Sequence, residues 1–354
     1  KSMLIPDHKL TEQHKKWLEN SLKSAAYALL ASAQPERRRE YAEQLLTWYR
    51  SDVLTYRNKE SLLQTAVTLE PEFFTPEQAA DILAFAERMI AEEDLGLKAA
   101  AIDVKHHFLG ARFNRAYDHD IKLCLGFDPE KELSREDLSE MYLDNLKAST
   151  PWPVKIANIQ LMLRALEQAG TDGQALHVAT HLGNLVKVSE TVVVRKFAGR
   201  ALVSMIDRLP LEQRNEIAVE LSKGLEIGDY QFSKYIPDYL GVIMLHLPPR
   251  ELDELLLDLE KFFSSTNGQV VGAVLHTLGV VIEHYDLYRT LFGKQETETR
   301  SSSRKYRVLS LIVRGFANYS PSISREALWS IGCNLFGSAK LSLQEKHDLF
   351  RHCG

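Results

Sequence analysis

Apolar residues recur along most of this chain at spacings of three and four, and almost nowhere in strict alternation. Val194, Ala198, Ala201 and Leu202 occupy i, i+4, i+7 and i+8, positions that share one face of an α-helix. Val270, Val274, Thr277 and Leu278 repeat that spacing, as do Val154, Asn158, Leu161 and Met162. Helix boundaries are also legible. Thr75-Pro76-Glu77-Gln78 combines a capping hydroxyl, a proline at the first helical position and a glutamine three residues after the cap. Ser134-Arg135-Glu136-Asp137 reads as a second start, with Asp137 near the positive end of the helix dipole. Gly110, Gly170, Gly224 and Gly268 follow apolar-periodic segments and read as stops. Val192-Val193-Val194 is β-branched, but it has no partner strand nearby and runs into a helical pattern, so it is read as helix. The pattern predicts an all-α protein.

The helices repeat. Leu209-Pro210 and Leu247-Pro248, each opening a similar segment, set a period of about 38 residues. At that offset Val194, Ala198, Ala201 and Leu202 superpose on Phe232, Ile236, Tyr239 and Leu240, and then on Val270, Val274, Thr277 and Leu278. The set Ile323, Ala327, Ser330 and Ile331 follows later than one further period would place it. The excess fits an exposed inserted loop, the polar, Ser/Thr-rich stretch 293–303. Upstream, the Val154 set precedes the Val194 set by close to one period, and looser copies start at Leu97, Ala101, Val104 and at Asn58, Leu62, Thr65. A single helix pair of this length cannot cover its own apolar face, whereas stacked pairs share a continuous core. The expected architecture is a right-handed α-solenoid of antiparallel helix pairs with a period of about 38–40 residues. Pro151-Trp152-Pro153 interrupts the helical pattern and divides 1–150, degenerate repeats or a helical cap, from the repeats of 151–354. Pro237 falls inside its repeat helix and should kink it or delay its start.

The segments V-R-x-x-A-x-x-A-L from Val194 and I-S-x-x-A-x-x-S-I-G from Ile323 resemble the second helix of HEAT repeats, with small residues Ala198, Ala201, Ala327 and Ser330 at the close-approach positions. The resemblance covers roughly 150–354. It implies second helices lining a concave, partner-binding side. In HEAT proteins the basic residue after the first apolar position helps tie neighbouring repeats. Here it is Arg195 and Lys155, but Ser233, Val271 and Ser324 elsewhere, so no regular ladder is expected.

Composition narrows the function. With 45% hydrophobic and 26% charged residues, the chain can bury a core and is not disordered by composition. A formal net charge of -5 argues against a dedicated nucleic-acid binder. Cys124, Cys333 and Cys353 are too few and too widely spaced for a disulfide framework or a zinc knuckle. With no signal peptide and no long apolar run, a soluble, cytoplasmic protein with no membrane association is expected. Lys1-Ser2-Met3 reads as a cloning remnant, and the helical pattern is still running at Gly354, so the chain is expected to be a piece of a longer protein.

Equivalent positions of a solenoid form columns. One column is Gln160, Arg200, Asp238, His276 and Trp329; four residues earlier runs Ile156, Lys196, Lys234, Gly272 and Arg325. Both lie away from the apolar face of the second helix. Lys196, Arg200, Lys234, Asp238, His276, Arg325 and Trp329 are therefore the candidate partner-binding residues, suited to a protein or peptide, acidic or phosphorylated. The alternative for these residues is a solvated face of unrelated charges.

Other residues invite chemistry. His106-His107 and His119-Asp120 have the residue types of metal-dependent HD-type phosphohydrolases, but no further ligands are identifiable, and surface histidines beside a polar connecting stretch, 114–120, explain them equally. His177 and His181 have i, i+4 spacing without an intervening acid. Ser301-Ser302-Ser303 between basic residues reads as loop filler or a phosphorylation site, and Arg37-Arg38-Arg39 as a solvated helix face. No phosphate loop, nucleophile elbow or paired catalytic carboxylates in a fixed motif are found. The reading is a non-catalytic scaffold with no cofactor and no metal. The alternatives are a regulatory or linker region of a larger enzyme, and a HEAT-like nucleic-acid enzyme such as a DNA glycosylase.

Overall fold

A computed structural model describes residues 23–169, 172–226, 233–293, 304–317 and 341–353. Among these, all regular structure is helical and there is no strand. The chain forms two compact units, Lys1–Leu161 and Met162–Gly354, and the division falls inside helix α8.

The first unit contains α1 (23–32), α2 (Pro35–Tyr49), α3 (Tyr56–Ala66), α4 (Pro76–Ile90), α5 (Leu95–Phe108), α6 (Arg115–Leu125), α7 (Arg135–Leu146) and the start of α8 (Trp152–Ala169). Its starts follow the sequence. Thr75 and Gln78 form a reciprocal capping box on α4, and Ser134 and Asp137 do so on α7. Gly110 follows α5 at φ +64°, and Gly126, unremarked in the sequence, ends α6 at φ +84°. Helix α2 packs on α4, α3 on α5, and α5 on both α4 and α6. Tyr49 anchors this core: it meets Phe85 edge-on at 5.2 Å, and its hydroxyl donates to the Leu62 carbonyl at 2.8 Å. Leu97, Ala101, Val104, Leu62 and Thr65 are buried, as their helical spacing predicts. Asn58 is exposed instead, because it sits in the first turn of α3, where its backbone N–H meets the capping Thr55 hydroxyl.

The second unit contains α9 (Asp172–Val188), α10 (Val192–Met205), α11 (Leu211–Lys223), α12 (Ile236–Met244), α13 (Pro249–Lys261), α14 (Gly268–Glu283), α15 (Tyr285–Phe292), α16 (Arg304–Ala317) and α17 (Leu343–Cys353). Pro210 and Pro248 do the same job, as extended caps of α11 and α13 behind fully buried Leu209 and Leu247. Pro237 delays α12 rather than kinking it, standing second in a helix that starts at Ile236. Gly268 is not a stop: it opens α14, capped by the Asn267 side chain. Val192-Val193-Val194 starts α10 as helix. Gly170, Phe232 and the stretch 294–303, including Ser301-Ser302-Ser303, lie outside the described residues, as do Ile323, Ala327, Ser330 and Ile331.

Packing follows alternate helices. α9 touches α11, α11 touches α13, and α13 touches α16; α10 touches α12, α12 touches α14, and α14 touches α16. The apolar faces named in the sequence are the buried ones: Val194, Ala198, Ala201 and Leu202 of α10, Ile236 and Leu240 of α12, and Val270, Val274, Thr277 and Leu278 of α14. Two glycines permit the close approach. A Cβ on Gly199 would lie 2.3 Å from the Tyr239 ring, and one on Gly241 would lie 2.6 Å from Val280 and 2.9 Å from the Thr277 carbonyl.

Candidate functional site

Lys196 and Arg200 stand one turn apart on α10, both exposed. Between them the Tyr239 ring of α12 lies across Gly199, and its hydroxyl donates to the Lys196 carbonyl at 3.2 Å. Burial pushes the Tyr239 phenol up from its ordinary pKa, the nearby Arg200 guanidinium opposes that rise, and Asp238 adds to it. Half-buried Lys234 places its ammonium 5.3 Å from the Tyr235 ring centre, and the buried Arg195 guanidinium lies 5.7 Å from the same centre. Lys196 and Arg200 thus flank Tyr239, while Lys234 stands against Tyr235.

Asp238 and His276 are joined to each other, Nε2 of His276 donating to Asp238 Oδ1 at 2.9 Å. This hydrogen-bonded pair interrupts the column on α12 and α14. Arg325 and Trp329 lie outside the described residues. The column through Lys196 does not face outward throughout, since Gly272 is buried in α14. Ile156, in the first unit, is also buried, because an aliphatic side chain at this register turns the helix surface inward. The neighbouring residues Lys155, Arg195, Ser233 and Val271 are all buried. Arg195 Nε donates to the carbonyl of Ser189, the residue after the end of the preceding helix.

Polar links between helices escaped the sequence reading. His246 Nδ1 lies 2.7 Å from Asp207 Oδ1, and Arg214 donates to the Leu209, Asp207 and His246 carbonyls. The signal was available: Asp207–His246 and Asp238–His276 are each separated by about one period, 39 and 38 residues.

The histidine motifs resolve differently. Residues 115–120 are not a connecting stretch but the first turns of α6, behind an Asn114 cap. His106 is no surface residue. It is buried on α5 with Nε2 donating to Asp120 Oδ2 at 2.8 Å, because Ala101 and Val104 turn that side of α5 into the core. His107 donates to the Leu69 carbonyl at 2.7 Å, and exposed His119 lies 3.4 Å from Asp120. His181 is buried and His177 exposed. Burial pulls the His181 pKa down to about 4. Arg38 is not merely solvated: it donates to the Leu30 and Ala33 carbonyls at the end of α1. No group of three or more His, Cys, Asp or Glu side chains suited to a metal ion occurs among the described residues. No single described helix is long and apolar enough to cross a membrane.

No family model matches this chain, and no curated protein matches it.

Proposed function

We propose that this chain is a HEAT-like, right-handed α-solenoid acting as a scaffold, and that the surface around Lys196, Arg200 and Lys234 receives an acidic or phosphorylated peptide. The observation that carries the reading is that Lys196 and Arg200 are exposed yet take part in no ion pair among the described residues. Two such cations one turn apart, beside the Tyr239 ring, match the needs of a carboxylate or phosphate on an extended segment.

The solenoid reading draws support from the spacing of the cross-links. In the first unit Gln78 donates to the Arg39 carbonyl, Arg88 to that of Tyr49 and His107 to that of Leu69, spanning 39, 39 and 38 residues. The second unit has the two links noted above at 39 and 38. Alternate-helix packing and a common bonding period are what stacked pairs require, and they favour degenerate repeats over a separate cap for 1–150. The Asp238–His276 pair breaks any continuous positive groove and so favours a peptide over nucleic acid.

The test is binding of fluorescent acidic and phosphoserine peptide libraries to wild type and to Lys196→Glu/Arg200→Glu, with helical circular dichroism as the folding control. Selected peptides should bind wild type in a salt-sensitive manner and the double variant at least about tenfold more weakly. Equal binding by both proteins, or no binding by wild type, refutes the assignment.

A further inference from the structure

We infer that the solvent face of α10 reads a short extended segment carrying one aliphatic residue followed, at alternate positions, by two anionic ones. This rests on the reading that Lys196 and Arg200 receive acidic groups, and it adds an apolar anchor to it. At the start of α10, Val192 and Val193 are 41% and 42% exposed, and Val188, the last residue of α9, is 54% exposed. Single exposed aliphatics are ordinary, but three that border one turn and lead into two cations mark a place for an apolar side chain. Lys196 and Arg200 continue the exposed stripe, while Val194, Arg195, Ala198 and Gly199 beside it are buried.

Spacing sets the order of the segment. Val192, Lys196 and Arg200 recur every four residues, about 6 Å apart along the helix axis. An extended chain places alternate side chains on one side about 6.6 Å apart. Residues n, n + 2 and n + 4 of such a chain therefore meet the valines, Lys196 and Arg200 in turn. Between the two cations the Tyr239 ring, lying across Gly199, offers apolar surface to the segment's backbone. The ends of the stripe limit the anions to two. Exposed Glu190 stands beyond the valines. Past Arg200 come Ser204, whose hydroxyl donates to the Ala201 carbonyl, and exposed Asp207. A further carboxylate at either end would meet like charge rather than a cation.

The experiment is titration of the full chain, followed by NMR of the peptide, with synthetic peptides in which leucine, glutamate and glutamate are separated by single glycines. The same peptides in reverse order cover both chain directions, and a second set carries phosphoserine for glutamate. Each has a control with serine in place of leucine. In at least one direction the leucine peptide should bind wild type about tenfold more tightly than its serine control. Val192→Ser/Val193→Ser changes only exposed side chains; it should weaken the leucine peptide about tenfold and leave the serine control unchanged. The comparison of leucine with serine needs no protein variant, so it decides even if that variant fails to fold. Lys196→Glu/Arg200→Glu should weaken every peptide at least about tenfold. Equal binding of leucine and serine peptides that both require Lys196 and Arg200, or a leucine advantage untouched by Val192→Ser/Val193→Ser, overturns the inference and leaves the acidic-peptide reading standing. No binding of any peptide by wild type, or binding indifferent to Lys196→Glu/Arg200→Glu, overturns both.

Discussion

Replacing Gly199 by alanine tests the packing of α10 on α12 most directly. The new methyl carbon would lie 2.3–2.4 Å from three carbons of the Tyr239 ring, far inside van der Waals contact. The ring cannot swing away without losing its 3.2 Å bond to the Lys196 carbonyl. Overpacking of this severity costs about 3 kcal/mol. Alanine is the better helix former by about 1 kcal/mol, so Gly199→Ala should lose about 2 kcal/mol net. In a Tyr239→Ala background the obstruction is gone and the helix preference alone remains, so the same change should gain about 1 kcal/mol. The coupling between the two sites is then about 3 kcal/mol. Urea unfolding of the four proteins, followed by the helical circular dichroism signal, measures it. A neutral Gly199→Ala, or one equally costly in both backgrounds, would refute the close approach, and with it the geometry that sets Lys196 and Arg200 beside Tyr239.

Three further outcomes are expected. His181 has a folded pKa of about 4 against an ordinary value of 6.5; below pH 6.5 the unfolded chain takes up a proton that the native state refuses, so stability should fall by about 3 kcal/mol between those values. The difference between wild type and His181→Gln across a pH series of urea melts reads that share, and a pH-independent difference would contradict it. Arg112→Met leaves the Asp103 carboxylate, 16% exposed, without its cation, and should lower stability by about 3 kcal/mol in urea unfolding, most of which Asp103→Asn in the same chain restores. Thr75→Ala removes half of the α4 capping box and should cost about 1 kcal/mol by the same assay, with no effect on peptide binding.

Much of the helical framework could be read without coordinates, because its causes are local. A threonine followed three residues later by glutamine caps a helix wherever it folds, and the Leu-Pro pairs one period apart mark equivalent starts. Buried faces followed from spacing for the same reason, since a helix has one apolar side and must bury it. Asn58 and Gly268 were misplaced because an apolar-period alignment does not register a first turn that begins on a side-chain cap. The candidate site was only half legible: Lys196 and Arg200 were named from their column, but the absence of an ion-pair partner for either among the described residues was not.

The sequence by itself determined an all-helical chain and its apolar faces, both of which depend on residues within a few turns of one another. Only the tertiary structure decided that Asp238 is tied to His276 and that His106 is buried against Asp120. Those facts depend on how deeply and at what rotation one helix meets the next. A hydrogen bond forms or fails over a few tenths of an ångström, a precision that no pattern along a single helix carries.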